Sequence, residues 1–208
     1  YAQGINIAEA KGDLQAAKEM RERVLKEFQK SASEQTGLPF VSTFHSLGVF
    51  IIKENAHILG LTKHFSILDE GDSVSLVKET VKEFGIDPKQ YDPKKIKGII
   101  SREKGKFVNQ SDYAERALNF GSGIENIVAR VWEKYESKKK AENALDFDDL
   151  LVKATELLVQ NEEVRDRYQN KWTYVHIDEY QDTNEVQYRM SKILAEKNKN
   201  IFHKVLNI

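Results

Sequence analysis

Two adjacent carboxylates follow a run of apolar and β-branched residues near the carboxyl end of the chain. Asp178 and Glu179 come directly after Trp172 to Ile177, and this run predicts a strand buried on both faces of a parallel sheet. Open α/β sheets bind their ligands at the carboxyl ends of such strands. One carboxylate there could hold Mg²⁺, and its neighbour could orient an attacking water molecule. An acidic turn between strand and helix is the alternative when the pair is taken alone.

The tetrapeptide Thr43-Phe-His-Ser46 stands where a short strand, Phe40 to Thr43, is predicted to run into a helix. Hydroxyls, an imidazole and the backbone N–H groups of a helix start are all good phosphate ligands. Capping of the helix by Thr43 and Ser46 is the simpler alternative on physical grounds alone.

A basic stretch lies between residues 94 and 106, where Glu103 is the one acid. Its cations are Lys94, Lys95, Lys97, Arg102, Lys104 and Lys106. Such a cluster can neutralise phosphates and bind nucleic acid without sequence preference. The alternative is a lysine-rich face that contacts only solvent.

A second acidic string, Ala144-Leu-Asp-Phe-Asp-Asp-Leu-Leu151, precedes another predicted helix. Asp146 and Asp149 have the three-residue spacing of a capping box, and capping suffices to explain these two acids.

The elements that must position these residues are mainly helices. Residues 60–140 are predicted to be entirely helical, because apolar side chains recur there at helical spacing. Separate helices are predicted to begin at Asp92-Pro93, near Ser111 and near Ile124.

Strand signals are few in this sequence. Residues 1–15 fit no element clearly, and residues 16–30 predict a helix. Phe40 to Thr43 is the one obvious neighbour for the strand that precedes Asp178. The predicted fold class is therefore mainly α with a small parallel β component.

The composition limits the partners and the compartment. The 208 residues carry a formal net charge of −1, so only local patches can indicate a nucleic-acid partner. There is no cysteine, which excludes disulfides, thiolate metal sites and cysteine nucleophiles. No apolar run approaches the length that crosses a membrane. We expect a cytoplasmic protein with no membrane partner.

The string Ile177-Asp-Glu-Tyr-Gln-Asp-Thr-Asn184 resembles motif II, the Walker B box, of superfamily 1 DNA helicases of the UvrD/Rep/PcrA type. The tetrapeptide at Thr43 resembles motif Ib of that family, which touches single-stranded DNA. The string that contains Asp146 resembles the family segment that returns the chain from a helical insertion to the RecA-like core. Residues 16–23 resemble the end of motif Ia, but Gly12 stands where the family has an aromatic residue that contacts DNA.

The resemblance implies roles for the matching positions. Asp178 is the expected Mg²⁺ ligand, Glu179 the base that activates water, and Gln181 the sensor of the γ-phosphate. It also implies DNA binding by residues of motif Ib and of the basic stretch. These residues are Thr43, Phe44, His45, Lys94, Lys95, Lys97, Arg102 and Lys104.

The resemblance further implies a helical insertion domain attached to a partial RecA-like α/β domain. The expected divisions are residues 1–58 and 146–208 for RecA-like segments and residues 59–145 for the insertion. The sequence contains no phosphate-binding loop of the form G-x-x-x-x-G-K-[ST]. We therefore expect a helicase fragment that lacks this loop and the second motor domain. ATP and Mg²⁺ would be cofactors of the intact parent, and the fragment alone would be inactive and bind neither.

Two other functions stay open at this stage. A non-catalytic helical DNA-binding module would need the basic stretch but not Glu179. An independent Mg²⁺-dependent phosphohydrolase or nuclease is disfavoured, because two-metal sites usually need further acids from other strands. The missing helicase domains, or a protein partner that supplies the phosphate-binding loop, would complete the site.

Overall fold

The computed structural model describes residues 3–8, 22, 26, 40–178, 180 and 183–204. The strands are β1 (Gln3–Ala8), β2 (Phe40–Thr43), β3 (Ser66–Leu68), β4 (Ala144–Asp146), β5 (Trp172–Asp178) and β6 (Ile201–Lys204). The helices are α1 (Phe44–Glu54), α2 (Glu70–Glu83), α3 (Pro93–Gly105), α4 (Gln110–Phe120), α5 (Gly123–Ala141), α6 (Phe147–Gln160), α7 (Glu162–Lys171) and α8 (Glu185–Ala195). The predicted fold class, mainly α with a small parallel β component, is confirmed.

The chain divides into two compact units. The first unit contains residues 1–52 and 153–208, and the second contains residues 53–152. The insertion predicted at residues 59–145 falls inside the second unit. The predicted helix at 16–30 and the motif Ia resemblance lie outside the described residues, apart from Glu22 and Lys26.

The first unit is built on a parallel sheet with the strand order β2-β1-β5-β6. Its β1 falls in residues 1–15, which the sequence left unassigned. The expectation that β2 lies beside β5 was wrong, because β1 pairs with both and separates them. On its other side β5 pairs with β6.

The prediction that β5 is buried on both faces was also wrong. Val175 and Ile177 are buried, whereas Tyr174 is 46% exposed. The physical reason is the alternation of side chains along a strand. The helices α7 and α8 contact β5, while the Tyr174 ring lies 6.4 Å from the ring of the exposed Phe202 on β6.

The second unit consists of helices α2 to α5 and the small parallel pair β3–β4. Its core is a cluster of apolar side chains that includes Val77, Val81, Ile96, Ile100, Tyr113, Val128, Val131, Trp132 and Tyr135. The prediction that residues 60–140 are entirely helical was wrong at β3, where Ile67 pairs with Leu145 of β4.

Helix starts in this unit follow their capping residues. The side chains of Asp69, Asp92 and Asn109 each accept a backbone N–H of the first turn that follows. Pro93 at the first helical position of α3 agrees with the predicted start there. In the described part of the chain, no helix is long and apolar enough to cross a membrane.

Candidate functional site

The carboxyl ends of four parallel strands meet at one edge of the sheet in the first unit. Ala8 of β1 is in register with Thr43 of β2, and Asp178 of β5 is in register with Lys204 of β6. Neighbouring strands lie about 4.8 Å apart, so Thr43 and Asp178 are separated by roughly 10 Å. Motifs distant in the sequence are therefore brought to one edge, where parallel sheets bind ligands.

Asp178 is the last residue of β5. It therefore lies at the carboxyl end of the strand, where the sequence predicted it. Of this residue only the backbone is described, and Glu179 and Gln181 lie outside the described residues. Their roles as metal ligand, base and phosphate sensor therefore stay predictions. A carboxylate at this backbone position suits Mg²⁺, since that ion prefers oxygen ligands.

The connection from β5 to α8 ends in a well-formed cap. The Thr183 hydroxyl donates a hydrogen bond to the Tyr180 carbonyl at 2.8 Å. The Asn184 side chain accepts the Gln187 N–H at 3.0 Å, and the Gln187 side chain accepts the Asn184 N–H at 2.8 Å. Asn184 is therefore the N-terminal cap of α8. This capping box fixes the direction in which the chain leaves the sheet edge.

Thr43 caps the helix α1. Its hydroxyl oxygen accepts the Ser46 N–H at 3.1 Å and its O–H donates to the Ser46 hydroxyl at 3.0 Å. The capping alternative is therefore realised, and it leaves Thr43 half-buried at the sheet edge. Phe44 is only 1% exposed and belongs to the core. This burial corrects the assignment of the Phe44 ring as a DNA contact, whereas His45 is half-buried and stays a candidate.

The basic stretch falls on two different sides of α3. Lys94, Lys95 and Arg102 are exposed, and they stay candidates for binding phosphates. Lys97 and Lys104 are only 8% and 4% exposed. Burial corrects the assignment of these two lysines as DNA contacts, because a phosphate cannot reach an ammonium group that is enclosed by the protein's own carboxylates.

We call the charged groups around these two lysines the buried ion network. It contains three lysines and four carboxylates, namely Lys97, Lys104, Lys139, Glu136, Asp146, Asp148 and Asp149. All of them lie in the second unit.

Lys104 is the centre of this network. Its Nζ lies 2.7 Å from Asp149 Oδ1, 2.7 Å from Glu136 Oε1 and 3.2 Å from Asp146 Oδ2. Lys139 contacts the same three carboxylates, at 2.9 Å for Glu136 and 3.3 Å for Asp146. Two buried cations thus share one set of acids, which satisfies charges that would otherwise be costly to bury.

Lys97 forms the outer part of the network. Its Nζ donates to Ser101 Oγ at 2.6 Å and to Asp148 Oδ2 at 2.8 Å. The Ser101 hydroxyl also donates to Asp148, at 2.7 Å. Asp148 is partly exposed, so water reaches this end of the network.

The network shifts the pKa values of Asp146 and Lys104. Burial alone would raise the pKa of Asp146, but the charges of Lys104, Lys139 and Lys97 lower this pKa well below its usual value. Burial would likewise lower the pKa of Lys104, and the neighbouring carboxylates, first Asp149, raise it instead. Asp146 and Lys104 are therefore both ionised at neutral pH.

Asp146 and Asp149 also form the capping box predicted from their spacing. The Asp146 N–H donates to Asp149 Oδ2 at 3.0 Å, and the Asp149 N–H donates to Asp146 Oδ1 at 2.8 Å. Sequence reasoning found this cap but missed the lysines that meet it. The available signal was the seven-residue spacing of Lys97 and Lys104, which puts them on one side of α3 beside Ile100.

Comparison with known proteins gives a consistent result. The chain matches the UvrD/REP helicase N-terminal domain over residues 13–204. Among curated proteins it is 39% identical to the ATP-dependent DNA helicase PcrA of Staphylococcus aureus (strain Mu50 / ATCC 700699) over 186 residues, which are 89% of this chain and 24% of that protein. Over the same shares of both chains, it is 37% identical to PcrA of Leuconostoc citreum and 38% identical to PcrA of Bacillus subtilis (strain 168). The chain thus spans about a quarter of the length of these relatives.

Proposed function

The chain belongs to the UvrD/REP helicase family, and we propose that it is part of an ATP-dependent DNA helicase. This helicase would move 3′ to 5′ on single-stranded DNA and would act in DNA unwinding and repair. The proposal is carried by one edge of the parallel sheet. There β5 ends at Asp178 and β2 ends at Thr43, with β1 between these two strands. This arrangement supports a site in which the residues proposed for ATP hydrolysis and those proposed for DNA binding lie on strands with only β1 between them. With DNA as the partner, we propose the cytoplasm as the compartment.

In this proposal Asp178 holds Mg²⁺, Glu179 accepts the proton of the attacking water, and Gln181 contacts the γ-phosphate. When bound, the Mg²⁺ ion would neutralise negative charge on the phosphate oxygens. The described residues contribute the backbone of Asp178 at the end of β5 and the capped start of α8, and these two elements flank Glu179 and Gln181 in the sequence.

These 208 residues contain no G-x-x-x-x-G-K-[ST] loop. The backbone N–H groups and the lysine of such a loop support the β- and γ-phosphates of ATP. We therefore propose that the loop and the second motor domain come from other residues, and that these 208 residues alone hydrolyse ATP negligibly.

The test is a chimera in which this chain replaces the matching segment of PcrA from Bacillus subtilis. We expect DNA-stimulated, Mg²⁺-dependent ATP hydrolysis that falls about 100-fold or more in Glu179→Gln, the usual contribution of a general base. The matched control is Glu196→Gln, an exposed glutamate after α8. Equal ATP hydrolysis in the Glu179→Gln chimera and in its parent would overturn the proposal, as would clear ATP hydrolysis by the 208 residues alone.

A second candidate function is a non-catalytic helical DNA-binding module. It is favoured by the separate compact second unit, which carries the exposed Lys94, Lys95 and Arg102. This function predicts that Lys94→Glu with Lys95→Glu abolishes DNA binding by the 208-residue chain. It also predicts that the Glu179→Gln substitution changes nothing in any assay, including ATP hydrolysis by the chimera.

A further inference from the structure

A second cluster of charged side chains lies near the turn that joins α3 to α4. Unlike the buried ion network, it has exposed cations. Three cations surround the carboxylate of Glu103, which is only 3% exposed. The shortest nitrogen–oxygen distances are 2.7 Å from Arg116, 3.0 Å from Lys106 and 3.5 Å from Arg102. We call these four residues the hairpin cluster.

The hairpin cluster leaves an excess of positive charge on the surface. The side chains of Arg102, Lys106 and Arg116 are 63%, 58% and 52% exposed, whereas that of Glu103 is 4% exposed. Burial raises the pKa of Glu103, but hydrogen bonds from Arg116 and Lys106 lower it below its usual value. One ionised carboxylate therefore anchors three cations, and Glu125 adds one more negative charge near Arg116, so the cations exceed these two carboxylates by one.

Hydrogen bonds of the backbone fix the turn from which these cationic side chains extend. α3 ends in a turn where the Phe107 N–H donates to the Lys104 carbonyl at 2.8 Å and the Val108 N–H donates to the Glu103 carbonyl at 3.0 Å. Asn109 then caps α4. The Arg116 guanidinium lies 5.2 Å from the centre of the Tyr113 ring. Cations that are already ordered lose less side-chain entropy when an anion binds.

The same helix presents an exposed aromatic ring. Phe120 is 88% exposed, and it lies one turn beyond Arg116 on α4. Residues four apart on a helix lie on the same side. Cations beside an exposed ring are what proteins use to bind a single strand, because the cations contact phosphates and the ring stacks on an unpaired base. A duplex offers no unpaired base to such a ring.

We propose that the hairpin cluster and Phe120 bind single-stranded DNA, with Arg102, Lys106 and Arg116 on phosphates and Phe120 on a base. Glu103 is a positioning residue that holds the three cations. The inference rests on the proposed function in taking DNA as the partner. It goes beyond that function in assigning a single-strand contact to the second unit, outside the edge of the first unit's sheet.

The test is fluorescence anisotropy of the 208-residue chain with a labelled oligothymidine, titrated at several salt concentrations. The substitutions Arg102→Gln, Lys106→Gln and Arg116→Gln are combined in one variant. The control variant combines Lys78→Gln, Lys82→Gln and Lys89→Gln, which remove equal charge from exposed positions of the same unit. We expect the slope of log affinity against log salt to become shallower by about 2 in the first variant, since each phosphate contact on a single strand contributes about 0.7. The control should keep most of the slope.

Phe120→Ala provides an independent readout, because a side chain this exposed contributes little to folding. We expect its affinity for oligothymidine to fall about fivefold or more, the lower end of the range for one stacked base. The salt slope should not change in this variant. A labelled duplex of equal length should be bound equally by Phe120→Ala and by the unchanged chain.

Three results would overturn the inference: no binding of oligothymidine by the unchanged chain, an equal loss of slope in the control variant, or full affinity in Phe120→Ala. None of these would affect ATP hydrolysis by the chimera, so the proposed function would stand. Conversely, a chimera without Glu179-dependent ATP hydrolysis would overturn the proposed function even if the hairpin cluster binds the single strand.

Discussion

The two sides of α3 carry the same kinds of side chain in very different surroundings. Lys97 and Lys104 lie seven residues apart, close to two helical turns, and both point into the buried ion network. Arg102 falls between them in the sequence but on the opposite side of the helix, where it is exposed. The basic stretch, which looks like one patch in the sequence, is divided by the helical period into a structural part and a surface part.

The two sides also differ in their balance of charge. In the buried ion network three lysines face four carboxylates, whereas in the hairpin cluster three cations share one. Buried charges must be paired because the protein interior does not solvate them. Exposed cations are solvated and can exchange water for phosphate. The number of carboxylates around a cation thus distinguishes a lysine that holds the fold together from one that is free to bind a phosphate.

The largest expected effect comes from removing the central lysine of the buried ion network. Lys104→Met leaves the carboxylates of Asp146, Asp149 and Glu136 with too few cations. We expect the free energy of unfolding to fall by about 3–5 kcal/mol, as when one partner of a buried ion pair is removed. Urea denaturation followed by circular dichroism measures this change.

The matched control for Lys104→Met is Lys94→Met, at an exposed position of the same helix. We expect it to change the free energy of unfolding by no more than about 0.5 kcal/mol. If the two substitutions cost the same, the two sides of α3 do not differ energetically, and the distinction between a structural and a surface part fails.

The second largest effect is expected from acid, which should weaken the ion pairs of the buried ion network. Burial alone would raise the pKa of Glu136, but the charges of Lys104 and Lys139 lower it to about 2. The pKa of Asp146 is also lowered, well below its usual value. Because these pKa values are lower in the folded chain than the ordinary values of about 4 in the unfolded chain, both carboxylates stabilise the fold above pH 4 or so. This stabilisation is lost as the pH falls from there towards 2.

Thermal unfolding at a series of pH values tests this expectation. The midpoint temperature should decrease as the pH falls below about 4, and the decrease should be shallower in Glu136→Gln, which removes one of the network carboxylates whose pKa is lowered. A midpoint that is unaffected by acid, or an identical decrease in the variant, would show that the lysines do not hold these carboxylates in their ionised form.

Local features of this structure were predictable from the sequence. The start of α3 at Pro93 follows from the Asp-Pro pair, and the capping box of Asp146 and Asp149 follows from their spacing. The position of Asp178 at the end of a strand follows from the apolar run before it. Each of these depends on contacts within a few residues, which a linear pattern contains.

Features that depend on distant parts of the chain were not predictable in this way. β1 has a glycine and two polar residues among its six, so only its pairing with β2 and β5 makes it a strand. β3 is three residues long and exists through its partner β4. The burial of Lys104 depends on acids more than 30 positions later, Glu136 among them. A lone lysine in a sequence carries no sign of such partners.

A smaller effect is expected from the hydroxyl of Tyr135, which enters the buried ion network. Tyr135 donates its hydroxyl hydrogen to Asp146 Oδ2 at 2.9 Å. Tyr135→Phe removes this hydrogen bond and leaves the ring in place, so we expect a loss of about 1.5–3 kcal/mol in the free energy of unfolding, the usual range for a hydrogen bond to a charged group. Urea denaturation measures the loss, and a change below about 0.5 kcal/mol would show that the lysines alone satisfy Asp146.

The smallest effect is expected from the corresponding substitution beside the hairpin cluster. Tyr113 is buried like Tyr135, though slightly less completely, and its hydroxyl has no hydrogen-bond partner among the residues that the structure describes. Tyr113→Phe keeps the ring against Trp132 and Arg116, and it removes a polar atom that is buried without a partner. We therefore expect the free energy of unfolding to stay the same or to rise by up to about 1 kcal/mol, because no protein hydrogen bond is lost. If Tyr113→Phe instead costs as much as Tyr135→Phe in the same urea titration, a bound water satisfies the hydroxyl, and both sides of the second unit depend on buried polar contacts.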